Sequence, residues 1–261
     1  MKETHHKRGI PYWDTIWMLA KTDLKMRYEG SVLGIIWVFL KPFSIFLVIN
    51  YVFSTIFNQT TPNYSIKLLM GLILFSFFQD ATINGMNSFV NKASILKKVY
   101  IPKWVIIISS TVHSGIAFLF NLVILFFFLT VYYGIYPHFL SILMFFYYVV
   151  LLYLVTVGIS FITAPLYAKV RDLNQIWEVL LQVLFFGSPI FYPITAVPYP
   201  VRSVLYANPF TYIIEHARLA LIDNSITHWD HHIIFLCVLI PCFIGSIWIL
   251  KKLSRNLIEQ L

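Results

Sequence analysis

The sequence predicts an all-α membrane protein with six transmembrane helices. Hydrophobic residues make up 59% of its 261 residues and charged residues only 11%, whereas soluble domains carry roughly a quarter charged residues. The mean hydropathy is +0.77, and several apolar runs reach the roughly 20 residues that cross about 30 Å of hydrocarbon. Helices satisfy their own backbone polar groups inside a membrane, so they are the expected form of these runs.

Six apolar segments predict the six spans. Cytoplasmic loops carry an excess of Lys and Arg, and most of the 19 Lys and Arg residues fall on one side if the N-terminus is cytoplasmic. We therefore expect a multi-pass inner (plasma) membrane protein with both termini in the cytoplasm. The net charge of +8 then reflects topology, and no nucleic-acid partner is expected. The predicted spans are residues 31–57, 67–90, 104–133, 139–167, 173–192 and 232–250.

Residues 1–30 are predicted to form a cytoplasmic tail and an interface helix. Residues 1–11 are charged and lack the apolar core of a signal peptide, so the first span itself should direct insertion. In residues 12–28, Trp13, Ile16 and Trp17 begin an apolar stripe at helical spacing, with charged residues opposite. This pattern predicts an amphipathic helix at the cytoplasmic interface, serving either as a plain anchor or as a docking site for a partner.

The connection between the fifth and sixth spans is rich in proline and contains two short apolar pieces. These pieces, residues 201–207 and 210–222, are too short to cross the membrane. Segments that enter a membrane and return are tolerated where protein or a cavity surrounds them. We therefore predict that residues 188–223 form a re-entrant helical pair at the outer gate.

Three charged side chains fall inside predicted spans: Lys41, Asp80 and Glu178. A charge at the centre of a membrane helix costs roughly 2.5–3.5 kcal/mol on insertion scales, so each should face the bundle interior, a partner or a wet cavity. Glu178 also forms a polar stripe with Asn174 and Gln182, because these residues recur every four positions. The stripe suits either a conduit for a polar substrate or a hydrogen-bonded seam between helices.

Two glycines four residues apart precede and begin the first predicted span. Gly30 and Gly34 form a G-x-x-x-G step. Small residues at this spacing let membrane helices approach closely. The step is compatible with a seam between two copies of the chain.

The sequence contains no recognised catalytic motif. The P-loop pattern G-x-x-x-x-G-K-[ST] is absent, as are H-E-x-x-H and G-x-S-x-G. Any ATP hydrolysis must therefore come from another polypeptide, and no cofactor is expected in this chain. Four polar residues near the start of the last span are of types that bind metals, but they equally suit the end of a span, and no metal site is predicted. They are His228, Asp230, His231 and His232.

Several sequence blocks follow one another along nearly the whole chain. The first covers residues 27–37 and is followed by Lys41-Pro42, and the second covers residues 95–102. The others are Arg171-Asp172-Leu173, residues 188–192, Asn208-Pro209 and Arg218. In this order they resemble the ABC transporter permeases that export lipid-linked polysaccharides, such as O-antigen and teichoic acid. Lys41 departs from that pattern, in which a neutral polar residue is common.

The resemblance implies a permease domain over residues 31–261 that works as a homodimer with two cytoplasmic ATPase subunits, which bind ATP and magnesium. It implies a channel between the two copies and a lipid-linked polysaccharide cargo, with O-antigen favoured. Residues 91–103 would couple the permease to the ATPase through Ile95, Leu96, Lys97, Lys98, Val99 and Tyr100. The lipid diphosphate would meet Arg27, Lys169 and Arg171 at the inner mouth. The channel and outer gate would use Glu178, Gln182, Ser188, Pro189, Tyr192, Asn208, Pro209 and Arg218.

Two other functions stay open from the sequence. An ATP-driven permease of this kind could instead carry teichoic acid, capsular polysaccharide, a drug or a lipid. An integral membrane glycosyl or acyl transferase would need a carboxylate or histidine constellation near the interface. For that, the outer connection offers Glu215, His216 and Asp223 without a recognisable motif.

Overall fold

The computed structural model of the chain describes residues 11–56, 61–225 and 229–255. Regular structure in these ranges is helical, as the sequence predicts, and no described residue lies in a β-strand. The α-helices of the described residues are α1 Tyr12–Tyr28, α2 Trp37–Tyr51, α3 Tyr64–Asn91, α4 Ala93–Lys98, α5 Lys103–Phe127, α6 Phe139–Lys169, α7 Leu173–Phe186, α8 Val201–Tyr206, α9 Pro209–Leu221 and α10 Trp229–Leu253.

Within the described ranges, five helical segments are long and apolar enough to cross a membrane. They are Trp37–Thr55, Tyr64–Asn91, Lys103–Tyr132, Phe139–Lys169 and His232–Leu253, and they correspond to the first four predicted spans and the sixth. The chain is therefore a multi-pass membrane protein. Helix α7 occupies the position of the predicted fifth span, and its 14 residues rise only about 21 Å, at about 1.5 Å per residue.

Helix α3 forms the centre of the bundle. It is buried around most of its circumference and packs chiefly against α5 and α6, with α2, α7 and α9 on its other sides. Gly85 permits a close approach, because a Cβ atom there would overlap the Ser160 side chain of α6 and lie close to Thr111 of α5. A second apolar cluster, which includes Leu19 and Leu96, fixes α1 and α4 to the bundle.

The predicted N-terminal helix is confirmed with the bounds Tyr12–Tyr28. Its apolar stripe divides into two parts. Ile16 and Ala20 are buried, on a helix that packs against α5, whereas Trp13 and Trp17 are exposed. Tryptophan is enriched where proteins meet the membrane interface, so the exposed pair suits the predicted interfacial location.

The G-x-x-x-G prediction is wrong, because neither glycine lies in an α-helix. Gly30 occupies the turn after α1, and Gly34 begins the 3₁₀ turn Gly34–Ile36. Their φ angles are 79° and 50°, which glycine adopts readily and other residues do not. The two glycines therefore shape the turn before α2, and the membrane-crossing helix begins at Trp37 rather than at Ser31.

The connection between α7 and α10 contains the two predicted short helices, α8 and α9. The Asn208 side chain caps α9 by accepting a hydrogen bond from Phe210 N at 3.0 Å. Pro209 follows at the first helical position, where no backbone donor is needed. Helix α9 is largely buried and packs against α6 and α3, whereas α8 has no buried residue.

Candidate functional site

A groove runs between α2 and α7, with α3 as its floor. Its wider part is a cavity of about 230 Å³ lined by Ile45 and Ile49 of α2, Phe75 of α3, and Gln182 and Phe185 of α7. A smaller cavity of about 50 Å³ adjoins it and extends toward α1. The two cavities share the wall residues Pro42, Ser76 and Gln79. We call these two adjoining cavities together the α2–α7 groove; α7 lines only the wider one, and α5 lines the smaller one.

Charged side chains gather where the α2–α7 groove approaches α1. Arg27, in the last turn of α1, donates to Asp80 of α3 at 3.2 Å, and Lys41 of α2 lines the same cavity. Gln79 and Asn121 add amide groups to its wall. As the sequence predicts, Lys41 and Asp80 both face a cavity, and the groove carries positive charge and hydrogen-bonding groups at this end.

Helix α7 presents the predicted polar stripe on its surface. Asn174 Nδ2 donates to Glu178 Oε1 at 2.7 Å, and both Glu178 and Gln182 are exposed. The only buried residue of this helix is Leu181. The exposure of the stripe removes the alternative of a buried seam within the chain. A carboxylate facing lipid is costly, so an exposed Glu178 favours a polar neighbour over lipid beside the stripe.

The three cations predicted for the inner mouth lie on different elements. Arg27 belongs to α1, Lys169 is the last residue of α6, and Arg171 lies in the turn before α7. The guanidinium carbon of Arg171 is 5.4 Å from the centre of the Tyr167 ring. Lys41, which the prediction omitted from this set, is the residue that shares a cavity with Arg27.

The predicted coupling segment contains the short helix α4. Leu96 is buried and Ile95 packs against the same apolar cluster, so the inner face of α4 is fixed to the bundle. Tyr100 is 96% exposed. Among residues 95–100 the exposed ones are Lys97, Lys98, Val99 and Tyr100. Exposed apolar side chains beside two cations form a surface suited to docking another protein.

A buried ion pair connects α4 to α1. Lys92, the residue before α4, is 5% exposed and donates to Asp23 Oδ2 of α1 at 2.6 Å. It also donates to the hydroxyls of Ser109 and Ser110 on α5, at 2.9 and 2.8 Å, so all three ammonium donors are used. Burial lowers the pKa of the Lys92 ammonium, and the bond to Asp23 opposes that change. One side chain thus links the coupling helix to α1 and α5.

At the other end of the bundle, Arg218 of α9 ties the connection after α7 to α3. Its guanidinium donates to the backbone carbonyls of Pro189, Ile190 and Lys67, at 2.5, 2.7 and 3.0 Å. It also pairs with Glu215, one turn earlier, at 2.8 Å. Burial raises the pKa of the Glu215 carboxyl, and Arg218 opposes that change. Five fixed donors suit this set of acceptors, which a lysine ammonium with three could not satisfy.

Other residues predicted for the outer gate meet around this arginine. Asn208 Nδ2 donates to Ser188 Oγ at 3.1 Å and so links the segment after α7 to the start of α9. The Tyr192 hydroxyl donates to the Phe186 carbonyl at 3.4 Å. We call the joined residues the Arg218 cluster: Ser188, Pro189, Asn208, Glu215 and Arg218. The stripe residues Glu178 and Gln182 lie apart from it, on α7.

The residues that a transferase would need are occupied by structural contacts. Glu215 pairs with Arg218, and Asp223 pairs with Lys67 at 2.9 Å. His216 Nδ1 lies 2.7 Å from the Tyr212 carbonyl and the ring is buried. The two carboxylates line one cavity of about 220 Å³, but each faces a cation. The described residues therefore do not assemble a carboxylate and histidine constellation.

Of the four polar residues near the start of the last span, His228 and the side chain of His231 lie outside the described residues. His232 is 3% exposed. Its Nε2 is 3.4 Å from the Tyr148 hydroxyl, and its Nδ1 is 3.2 Å from the Tyr212 hydroxyl. These contacts make His232 part of an aromatic core between α6, α9 and α10.

The comparisons with known proteins fit this architecture. The family described as ABC-2 type transporter matches residues 14–222. The chain belongs to the ABC-2 type transporter family. It is accordingly a transport subunit, and ATP hydrolysis lies in a separate nucleotide-binding subunit.

Among individual relatives of this ABC-2 chain are two permeases of O-antigen export systems. The protein of Myxococcus xanthus is 30% identical over 212 residues, 80% of this chain and 78% of that one. A protein of Klebsiella pneumoniae is 28% identical over 251 residues, 95% of each chain. A polysialic acid transport protein of Escherichia coli is 22% identical over 236 residues, 88% of this chain and 90% of that one.

Sequence reasoning missed ion pairs outside the Arg218 cluster, among them Lys92 with Asp23 and Lys67 with Asp223. Lys92 lies in the predicted coupling segment, residues 91–103, and Lys67 begins the predicted second span, and neither was given a partner. The adjacent hydroxyls of Ser109 and Ser110, which follow the apolar run 104–108, are the signal that a polar partner is buried near the start of α5. For the pair between Lys67 and Asp223, 156 residues apart, the sequence contains no such signal.

Proposed function

We propose that this chain is the permease subunit of an ATP-driven exporter that moves lipid-linked polysaccharide, specifically O-antigen, across the inner membrane. The observation that most strongly supports this function is the similarity of the chain, over 95% of both chains, to an O-antigen export system permease protein. The polysialic acid transport protein is a more distant relative at 22% identity, so capsular polysaccharide is the second candidate cargo. The charged and amide-lined α2–α7 groove supports a polar cargo over a drug or a simple lipid.

The proposed topology has six spans, with both termini in the cytoplasm. Helix α7 provides about 21 Å at about 1.5 Å per residue and lies at the position of the fifth apolar run of the sequence. Because a hydrocarbon core is roughly 30 Å thick, the bent segment 187–192 after α7 would complete the fifth span. The short helices α8 and α9, with α9 largely buried, support the re-entrant pair. The distribution of Lys and Arg supports the orientation.

The active unit is proposed to be a homodimer that places the groove of one copy beside the other. Helices α2 and α7 leave most of their surface open, including apolar side chains such as Trp37 and Val183. Glu178 is exposed among them. A second copy, with a water-filled path between the two, would cover the apolar surface and solvate the carboxylate.

In this proposal the cargo enters at the charged end of the groove and passes along α7. Arg27 and Lys41 receive the lipid diphosphate, with Lys169 and Arg171 as further cations at the inner mouth. Gln182 and Glu178 then hydrogen-bond sugar hydroxyls, while flat rings such as Phe185 contact sugar C–H surfaces. The Arg218 cluster, together with Tyr192 and Pro209, forms the outer gate at the end of this path.

Two copies of the ATPase subunit are proposed to dock on α4. The exposed residues from Lys97 to Tyr100 supply the docking surface, and Ile95 and Leu96 hold it to the bundle. The Lys92 ammonium passes the movement of α4 to α1 through Asp23. Because α1 ends beside Asp80, the same movement reaches the charged end of the groove.

A deletion in the native cell tests the proposed function. We expect surface O-antigen to disappear and lipid-linked polymer to accumulate inside, with both effects reversed by the wild-type gene. A Tyr100→Asp variant should fail to restore export and should lose the co-purifying ATPase. The variant Tyr132→Asp, at an exposed tyrosine at the far end of the segment Lys103–Tyr132, should retain the ATPase. Unchanged surface polymer together with no retained ATPase would contradict the proposal.

A further inference from the structure

A second large cavity lies at the end of the bundle that carries α4, away from the α2–α7 groove. Its volume is about 620 Å³, and it opens between α5, α6 and α10. Ile108, Phe161, Phe243 and Ile247 form its apolar part. None of its lining residues belongs to the α2–α7 groove, so it has no part in the path assigned to the cargo.

The cavity is long and its two ends differ in chemistry. On α10 the lining residues recur at helical spacing from Phe243 to Lys251, a distance of about 12 Å at about 1.5 Å per residue, and Ser254 and Arg255 continue the lining in the turn after the helix. The deep end is apolar. The end at the helix terminus carries three cations, Lys103, Lys251 and Arg255, and no carboxylate lines the cavity among the described residues.

We propose that this cavity binds one anionic glycerophospholipid of the adjacent leaflet. An acyl chain lies along the apolar wall toward Phe243, and the phosphate contacts Lys103, Lys251 and Arg255. Basic pockets between membrane helices are suited to anionic headgroups, because each cation near the surface adds attraction to negative lipid. The cavity also borders the proposed ATPase-docking surface, since Val99 and Tyr100 line it together with Leu96.

The depth of the cavity favours a lipid over a protein partner. Phe243 and Phe161 lie well inside segments that cross the membrane, Phe139–Lys169 and His232–Leu253, where a subunit docked from the aqueous side does not reach. Charge complementarity favours an anionic lipid over a zwitterionic one. Binding here does not rest on the proposed cargo, because the lipid and the cargo occupy different cavities.

Native mass spectrometry of the purified full chain with added phosphatidylglycerol or phosphatidylcholine tests the proposal. We expect Lys251→Gln to weaken phosphatidylglycerol binding about fivefold and Lys251→Gln with Arg255→Gln about 25-fold, at about fivefold per cation. Lys252→Gln is the matched control, because Lys252 lies over the Trp248 ring, 4.9 Å from its centre, and does not line the cavity. It should stay within about twofold of the wild type, as should phosphatidylcholine binding to every variant.

A second variant fills the cavity without changing its charge. Ile247→Trp should reduce the number of tightly bound phosphatidylglycerol molecules by one per chain. The proposal is overturned if Lys252→Gln weakens binding as much as Lys251→Gln, or if phosphatidylcholine binds as tightly as phosphatidylglycerol. It is also overturned if Ile247→Trp releases the ATPase subunit while lipid binding is unchanged. These lipid measurements do not depend on the proposed cargo. If deleting the gene left O-antigen export unchanged, the proposed function would fail and the lipid proposal would still stand or fall on its own results.

Discussion

Helices α3 and α7 are neighbours, yet they relate to the rest of the chain in opposite ways. In the most apolar window of α3, 72% of the residues are buried, whereas in α7 Leu181 alone is buried. Most of α3 is covered by other helices of the same chain. The open side of α7 includes a carboxylate that lipid cannot solvate cheaply. The packing that stabilises the chain is therefore concentrated around α3. The exposed surface of α7 is instead available to cargo, water or a second copy of the chain.

The largest expected effect comes from the residue that ties α9 to α3. Arg218→Met should destabilise the protein by about 3–5 kcal/mol, because it leaves Glu215 buried without its partner. Burial already raises the pKa of the Glu215 carboxyl, so in this variant the folded state binds the proton more tightly than the unfolded state. Stability should therefore be regained as the pH falls below the raised pKa and lost as the pH rises through it.

Thermal unfolding of the detergent-solubilised protein measures this effect. Arg202→Met is the control, because Arg202 is only partly buried and bonds the carbonyls of Thr195 and Val197 within its own loop. Adding Glu215→Gln to Arg218→Met should recover part of the loss. Equal destabilisation by the two arginine variants would show that the Arg218 cluster is not a special anchor of the α3 core.

The next effect concerns the close packing of α3 itself. Gly85→Val should cost about 1–3 kcal/mol through overpacking, since its side chain would meet Ser160 and Thr111. Gly115→Val on α5 is the matched control, because nothing lies within 4 Å of a Cβ atom there. The yield of monodisperse protein and its unfolding temperature would be compared. If Gly115→Val proved as harmful, helix propensity rather than packing would explain the loss.

A smaller effect is expected where α1 and α4 join the α3 core. A double-mutant cycle of Asp23→Asn and Lys92→Met should give an interaction energy of about 0.5–3 kcal/mol. Each single variant should also reduce transport more than ATPase binding, since α4 would still dock but would move α1 less. Unfolding temperatures and export of the complex measure the two quantities. An interaction energy near zero would contradict the proposal that Lys92 and Asp23 transmit movement from α4 to α1.

The smallest effect on stability belongs to α7. Glu178→Leu and Gln182→Leu should change the free energy of unfolding by no more than about 0.5 kcal/mol, as is usual for exposed positions, yet reduce export several-fold. Leu180→Met is the control, because two residues turn an α-helix by about 200° and place Leu180 opposite the stripe. A large loss of stability with normal export per folded molecule would show that these two α7 residues stabilise the fold and do not serve transport.

The spacing of apolar residues along the sequence was enough to predict where most of the helices lie. The bounds of α1 and the existence of five spans follow from apolar runs and helical spacing, and Arg218 belongs to a block that the family resemblance identifies. Lys92 could not be predicted, because its burial depends on Asp23 and on two serines of α5 that only the folded bundle brings together. The two glycines before α2 were misassigned, since identical spacing occurs in helices and in turns and only φ separates them.

The most direct test of the central claim places a photo-crosslinking residue at position 182 and, as a control, at position 180. We expect the crosslinking residue at position 182 to form adducts with lipid-linked polysaccharide when the ATPase subunit is present. The crosslinking residue at position 180 should form adducts only with membrane lipid. Polysaccharide adducts at position 180 and none at position 182 would contradict the assignment of the α2–α7 groove as the path of the cargo.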